Sequence, residues 1–305
     1  MSSQAEDINW AVNECADAEL GDGRRTKRLV ELAHVLAQHP TAALPEACGD
    51  GAMLKAASRF FSHDDIDPQD ILSSHIESTS SRLDKVPWVL AVQETTEVDW
   101  TGHPATTGLG PLGHTACQGL HVHSTLAFTP ERVPLGLVAQ HVWARDPDDV
   151  GKRKRRKQLP MSQKESQQWL TSLEAVFNAR DWCAPTRCVS VGDREAEVFD
   201  LLAAERPAGV ELLVRAAWDR CVEVPERSVW ATVAAQPVVE HLTLPVPRRG
   251  TQPGREATLA RRLCPVTLGP PRHRQSAGLP SVALWAVQVR EIDPPMTSSP
   301  LRGCC

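Results

Sequence analysis

The spacing of apolar residues changes character once along the chain. Between residues 8 and 80 it is helical: Leu29, Leu32, Ala33 and Leu36 fall on one face of a stretch that closes at Pro40. A second helix is expected near 52–62. A third opens with Asp67 as N-cap and Pro68 at the first helical position, and Ile66 is placed to staple against Ile71. These segments predict a small helical domain.

From residue 86 the pattern turns to strands. The run Val86 to Val92 is apolar on both faces, as an interior strand should be, and Glu94 shares parity with Trp88, Leu90 and Val92. Two further strands, 119–129 and 134–145, flank the turn Thr129-Pro130-Glu131-Arg132 and predict a hairpin. After the cationic run Lys152 to Lys157, a helix is expected from Ser162 to Arg180, capped by Ser162 with Glu165 three residues on. A fourth strand (Cys188 to Val191), a helix over 195–206 with Val198, Leu201 and Leu202 inward, and a fifth strand over 209–217 complete the order βββαβαβ. That is the order of a ribonuclease-H-like core. Beyond 220, the runs Val229 to Val233, His241 to Val246 and Val282 to Val289 read as short strands among Pro, Gly and Arg. The fold class expected is α+β.

Composition narrows the chemistry. The net charge of −5 means that nucleic-acid binding must rest on local basic patches. Nine cysteines without a CxxC pair argue against a disulfide framework or a structural zinc, and fit a reducing cytoplasm. The start, MSSQAEDINW, lacks the layout of a signal peptide, and no stretch approaches the ~20 apolar residues of a membrane span. A cytoplasmic protein without membrane contact is expected. The absence of tyrosine excludes tyrosine-nucleophile recombination.

Two segments place a carboxylate where an apolar run ends: Gln93-Glu94-Thr95-Thr96 and Gly192-Asp193-Arg194-Glu195-Ala196. Such carboxylates can hold a divalent metal against a phosphodiester. A helix following Asp193 would support its charge through the macrodipole, although Asp193 equally suits a plain helix N-cap. Asp99 has the opposite parity. Arg24, Arg25, Lys27 and Arg28 crowd the first turn of a helix, where the macrodipole disfavours cations, so phosphate is the expected counter-charge. Lys55 and Arg59, at i and i+4, form a second basic pair. The run 152–157 suits non-specific backbone attraction. His121 and His123 share a sheet face and read as structural.

Trp10 to Arg28 (WAVNECADAELGDGRRTKR), Lys55 to Phe61 (KAASRFF), the two acidic segments, Gly119 to Leu126 (GLHVHSTL) and Leu212 to Arg220 (LLVRAAWDR) resemble the bacterial cut-and-paste transposases of transposon Tn-five and insertion-sequence family four, in the same order over residues 8–293. The resemblance implies a DNA-binding domain over 1–82, a ribonuclease-H-like core over 83–220 and a β-rich insertion with an irregular tail over 221–305. It implies a DDE site binding Mg²⁺ or Mn²⁺ through Asp193 and Glu94. Arg215 and Arg220 match a segment that would hold phosphate near that site. The partner implied is double-stranded DNA from transposon ends, bound as a homodimer, in a nucleoid-associated protein. Two departures stand out. The family has Asp where this chain has Glu94, and its third carboxylate, on a later helix with Tyr, Arg and Lys, has no counterpart. Glu291 reads as strand, and the tail Met296 to Cys305, with neither period nor caps, reads as truncated or frame-shifted. The function implied is a DNA transposase, catalytically defective in this copy. The alternatives are a non-catalytic DNA-binding relic or transposition inhibitor, and a metal-dependent nuclease of the same fold.

Overall fold

The structure is a computed structural model, and it describes residues 10–113, 116–149, 164–182, 185–223, 228–248, 250, 253–271, 278–295 and 301–305. The chain forms two compact units. One comprises 1–89, 125–139 and 178–187; the other comprises 90–124, 140–177 and 188–305.

In the first unit, residues 10–15 are helical. They are followed by α1 (Gly23–Gln38), α2 (Leu44–Cys48), α3 (Gly51–Phe61) and α4 (Pro68–Leu83). The caps are those the sequence predicts or allows. Asp67 accepts from Gln69 N–H ahead of Pro68, Asp22 accepts from Arg24 N–H, and Asp50 accepts from Ala52 and Met53 N–H. Leu29, Leu32, Ala57 and Phe60 form the core, with Ile66 and Ile71 packed against it. Full burial of the Leu29, Leu32 and Phe60 side chains contributes about 1.5–3 kcal/mol each. The short helix α2 has no counterpart among the helices expected from the apolar spacing.

Glu14 anchors this unit. Its carboxylate accepts from Arg82 and lies 2.7 Å from His75 Nδ1, while Ser74 Oγ–H donates to its carbonyl. Leu137 N–H donates to His75 Nε2 (3.0 Å), so the ring carries its proton on Nδ1 and gives it to Glu14.

The larger sheet contains β1 (Trp88–Asp99), β2 (Gly110–Pro111), β3 (Gln118–Phe128), β4 (Pro134–Trp143), β5 (Arg187–Gly192) and β6 (Val210–Val214). Apart from the two-residue β2, which pairs antiparallel with β3, the pairing runs β4, β3, β1, β5, β6. The turn before β4 closes with Arg132 N–H donating to Thr129 carbonyl, Arg132 adopting a φ of 70°. β5 and β6 are parallel, with Gly192 opposite Val214. Two helices accompany this sheet, α5 (Gln167–Trp182) and α6 (Phe199–Ala203).

A smaller sheet lies wholly in the second unit: β7 (Glu240–Val246), β8 (Arg255–Leu268), β9 (Val282–Glu291) and β10 (Arg302–Cys304), antiparallel throughout. Two expectations are corrected here. Val229–Ala234 is a helix, α7, not a strand: Ser228 Oγ accepts from Ala231 N–H, and Val229 and Val233, one turn apart, bury against Cys264, Val266 and Ala286. The tail is not irregular throughout, because residues 302–304 pair with β9. The other strand runs expected beyond 220 fall in β7 and β9. No helix among the described residues is long and apolar enough to cross a membrane.

Candidate functional site

Glu94 lies within β1 rather than at its end. Alternation buries Val89, Ala91 and Gln93 on one face and leaves Glu94 exposed on the other. The strand continues to Asp99, whose carboxylate accepts from Thr101 and serves that turn. Asp193 follows Gly192 at the end of β5, and its Oδ1 accepts from Glu195 N–H (2.7 Å). This is a local Asx turn. The helix expected over 195–206 begins only at Phe199 and is five residues long, so neither the N-cap reading of Asp193 nor macrodipole support for its charge applies. Of the residues expected inward, Leu201 is buried, with Phe199 as its companion.

Glu94 and Asp193 line one cavity of about 270 Å³, together with Gly192, Leu213, Arg215 and Cys305. Partial burial, with the nearby Asp193 and Glu195 carboxylates, pushes Glu94 above the usual carboxylate range. Arg215 N–H donates to Gly192 carbonyl (3.0 Å), which fixes the start of the β6 exit loop beside Asp193. A Cβ at Gly192 would overlap the Ala196 methyl and press on the Trp169 ring at 3.2 Å, so only glycine lets the turn close.

Two arrangements that the sequence does not disclose hold this site. Beneath it, on the buried face, Gln93 Nε2–H donates to Ser190 Oγ (2.8 Å), and His123 Nε2 lies 3.3 Å from Gln93 Oε1. Gln93 Oε1 can only accept, so His123 Nε2 carries the proton and Nδ1 accepts from Thr95 Oγ–H at 2.8 Å. Burial lowers the His123 pKa to about 4, with a smaller contribution from His141, and its ring meets Trp169 edge-on at 4.7 Å. The ladder crosses β3, β1 and β5. Beside the site, Glu197 is buried and its carboxylate accepts from Ala217 N–H, Trp218 N–H and Arg220 Nε, while Arg220 also donates to the Glu197 carbonyl. Arg220 is therefore engaged by Glu197, and only Arg215 of the expected basic pair lines the cavity. The sequence signal for Glu197 is a second glutamate two residues after Glu195, with nothing to connect it to 217–220.

Glutamate and aspartate offer hard oxygen donors, and two of them suit one magnesium-class ion that keeps most of its waters. They do not suit a pair of ions. Among the described residues no group of three or more His, Cys, Asp or Glu side chains could hold a metal. Glu291 does not join them: it is buried against Arg255 and accepts from Leu301 N–H, which hold its carboxyl below the usual range. His121 and His123 are buried, and His121 stacks on Trp143 at 5.3 Å.

In the N-terminal helices the basic residues divide. Arg24 chelates Asp22 (2.8 Å), holding that carboxyl at about 2; Arg25 pairs with Asp65 (2.9 Å) and donates to Leu20 carbonyl; Arg28 pairs with Glu31 (2.6 Å). Within the chain itself, the acidic side chains of Asp22, Asp65 and Glu31 offset the charge of this crowded first turn. Lys27, Lys55 and Arg59 are exposed and make no ion pair among the described residues. The run 152–157 and Ser162 lie outside the described residues.

Residues 7–66 match a family model described as transposase DNA-binding. Among solved structures, a cryo-EM structure of the piggyBac transposase synaptic complex with hairpin DNA is similar at a TM-score of 0.35 and 9% identity, over 96% of this chain and 60% of that one. The chain thus spans about three fifths of the length of that protein.

Proposed function

We propose that this chain is a transposase-type DNA-binding protein in which the helices of residues 1–82 grip duplex DNA at transposon ends and the larger sheet carries a weakened acidic site. The observation that carries the reading is the match of residues 7–66 to a transposase DNA-binding domain, over helices that expose Lys27, Lys55 and Arg59. The pairing order β4, β3, β1, β5, β6, with Glu94 on β1 and Asp193 just past the end of the adjacent β5, supports a ribonuclease-H-like core over 83–220 of the Tn-five and insertion-sequence family four type. The β-rich segment 221–305 stands as its third part.

In this reading Glu94 and Asp193 hold one Mg²⁺ or Mn²⁺, which would supply charge neutralisation at a phosphate, while Arg215 faces the same cavity as a cation for a phosphate oxygen. With no third carboxylate joining them in a metal-holding group among the described residues, binding is favoured over catalysis: the chain acts as an end-binding protein, and as an inhibitor where it competes with an active copy for ends. Homodimers on DNA and a nucleoid-associated cytoplasmic location belong to the same proposal.

The test is a gel-shift titration at several salt concentrations, with duplexes taken from the flanks of the coding sequence and an unrelated duplex. Preference for the flanking duplex, with affinity falling steeply as salt rises, is expected. Equal, weak binding of both would refute end recognition. Incubation with Mg²⁺ or Mn²⁺ should leave the duplex uncut.

A further inference from the structure

The acidic cavity has a wall that comes from far along the chain. Cys305 lines it with Glu94, Asp193 and Arg215. The segment 301–305 is held there by backbone bonds: Ala216 N–H to Cys304 carbonyl (2.7 Å), Cys305 N–H to Val287 carbonyl (2.9 Å), Val287 N–H to Cys305 carbonyl (2.8 Å) and Glu291 N–H to Leu301 carbonyl (2.9 Å). Cys304 packs on the core of the second sheet. One feature opposes the docking. Arg302 lies directly opposite Arg290, and both are exposed, a like-charge cross-strand pair that destabilises a ladder.

We propose that residues 301–305 form a detachable strap over the Glu94–Asp193 pair, and that strap docking and divalent-cation binding at that pair exclude one another. The proposal rests on reading these carboxylates as a cation-binding pair. The docked strap sets Cys305 in the wall of the cavity that the two carboxylates line, and a magnesium-class ion bound by only two carboxylates keeps several waters that need room in that same cavity. These backbone bonds, the pairing of 302–304 with β9 and the donation of Leu301 N–H to the Glu291 carboxylate hold the strap down, and the Arg290–Arg302 repulsion lowers the cost of releasing it. Competition for one space is reciprocal, so cation binding must release the strap as strongly as the strap weakens cation binding.

Two readouts test this on the intact chain: site-resolved alkylation of Cys305, followed by mass spectrometry, and Mn²⁺ binding, followed by electron paramagnetic resonance. Mn²⁺ should accelerate Cys305 alkylation several-fold, and should not do so in the E94Q/D193N double variant. Arg302→Glu, which makes an attractive pair with Arg290, should slow alkylation and weaken Mn²⁺ binding. A chain lacking 301–305 should bind Mn²⁺ more tightly; should it fail to fold, alkylation in the intact chain decides alone. Mn²⁺ binding that is equal with the strap present, tightened or removed, and alkylation indifferent to Mn²⁺, would overturn the strap while leaving the cation pair standing. No Mn²⁺ binding to any form, the strapless chain included, would overturn the pair and the strap together.

Discussion

His123 Nε2 and Gln93 Oε1 lie 3.3 Å apart on the buried face of the large sheet, directly behind the strand that presents Glu94 to the other side. Because Gln93 also donates to Ser190, this hydrogen bond helps join three adjacent strands through side chains alone. Donation to Gln93 and acceptance from Thr95 fix the tautomer, and burial keeps the ring neutral, which couples the sheet behind the site to pH.

Acid should therefore loosen the large sheet. The folded pKa of His123 is about 4, below the ordinary value of 6.5, so the unfolded chain takes up the proton first. Stability is complete above about pH 6.5 and is lost as pH falls towards 4, by a total of about 3 kcal/mol. Urea unfolding at a series of pH values should show this slope. His123→Asn, which keeps a donor and an acceptor, should flatten it; an unchanged slope in that variant would refute the assignment.

Glu197→Ala should destabilise strongly. It leaves Arg220 without its buried partner and two N–H groups without an acceptor, and breaking such a buried pair costs about 3–5 kcal/mol. Glu197→Gln should cost less, since its amide oxygen still accepts. In thermal melts the E197A/R220A double variant should recover part of the loss of Glu197→Ala, as expected for coupled neighbours. Strict additivity would count against the latch.

The basic residues of the N-terminal helices should separate by function. Replacing exposed Lys27, Lys55 and Arg59 by Ala should weaken DNA binding and lower its salt slope by about one for each phosphate no longer neutralised. Arg25→Ala should instead lower the melting temperature, because Arg25 is half-buried on Leu20 carbonyl and Asp65. A gel shift and a melt on each variant read the two effects independently.

Glu94→Gln should raise the melting temperature in metal-free buffer near neutral pH. The carboxyl of Glu94 is shifted upward by burial and by Asp193 and Glu195, so ionising it costs the folded state as pH rises through its raised pKa. The advantage should vanish at acid pH, where Glu94 is already neutral. Divalent ions should favour the unmodified chain. A melt with chelator at two pH values checks the first claim.

Much of the scaffold is legible in the sequence because period and caps are local signals. Asp67, Pro68 and Ile66 announce α4 by themselves, and the strands β3, β4, β5 and β6 fall within a few residues of their apolar runs, whereas β1 continues to Asp99, well past the run that ends at Val92. What stays hidden depends on partners distant in sequence. Nothing in the stretch around Glu197 names Arg220, and nothing near Arg25 names Asp65. Val229–Ala234 misleads because its β-branched residues speak for strand, whereas burial of Val229 and Val233 on Cys264 and Ala286 decides for helix. Cys305 lies in a tail without periodicity, and only pairing with β9 brings it to the acidic cavity.

The parallel register of β5 and β6, with Gly192 opposite Val214, sets where the gene can tolerate insertions and deletions. Asp193 and Arg215 are neighbours because two strand ends stop level, while the segment 204–209 between α6 and β6 merely spans the gap. One residue added there lengthens a surface connection at little entropic cost. One residue added within 210–214 turns every following side chain to the opposite face, moves Arg215 away from the cavity and exposes Val214 in its place.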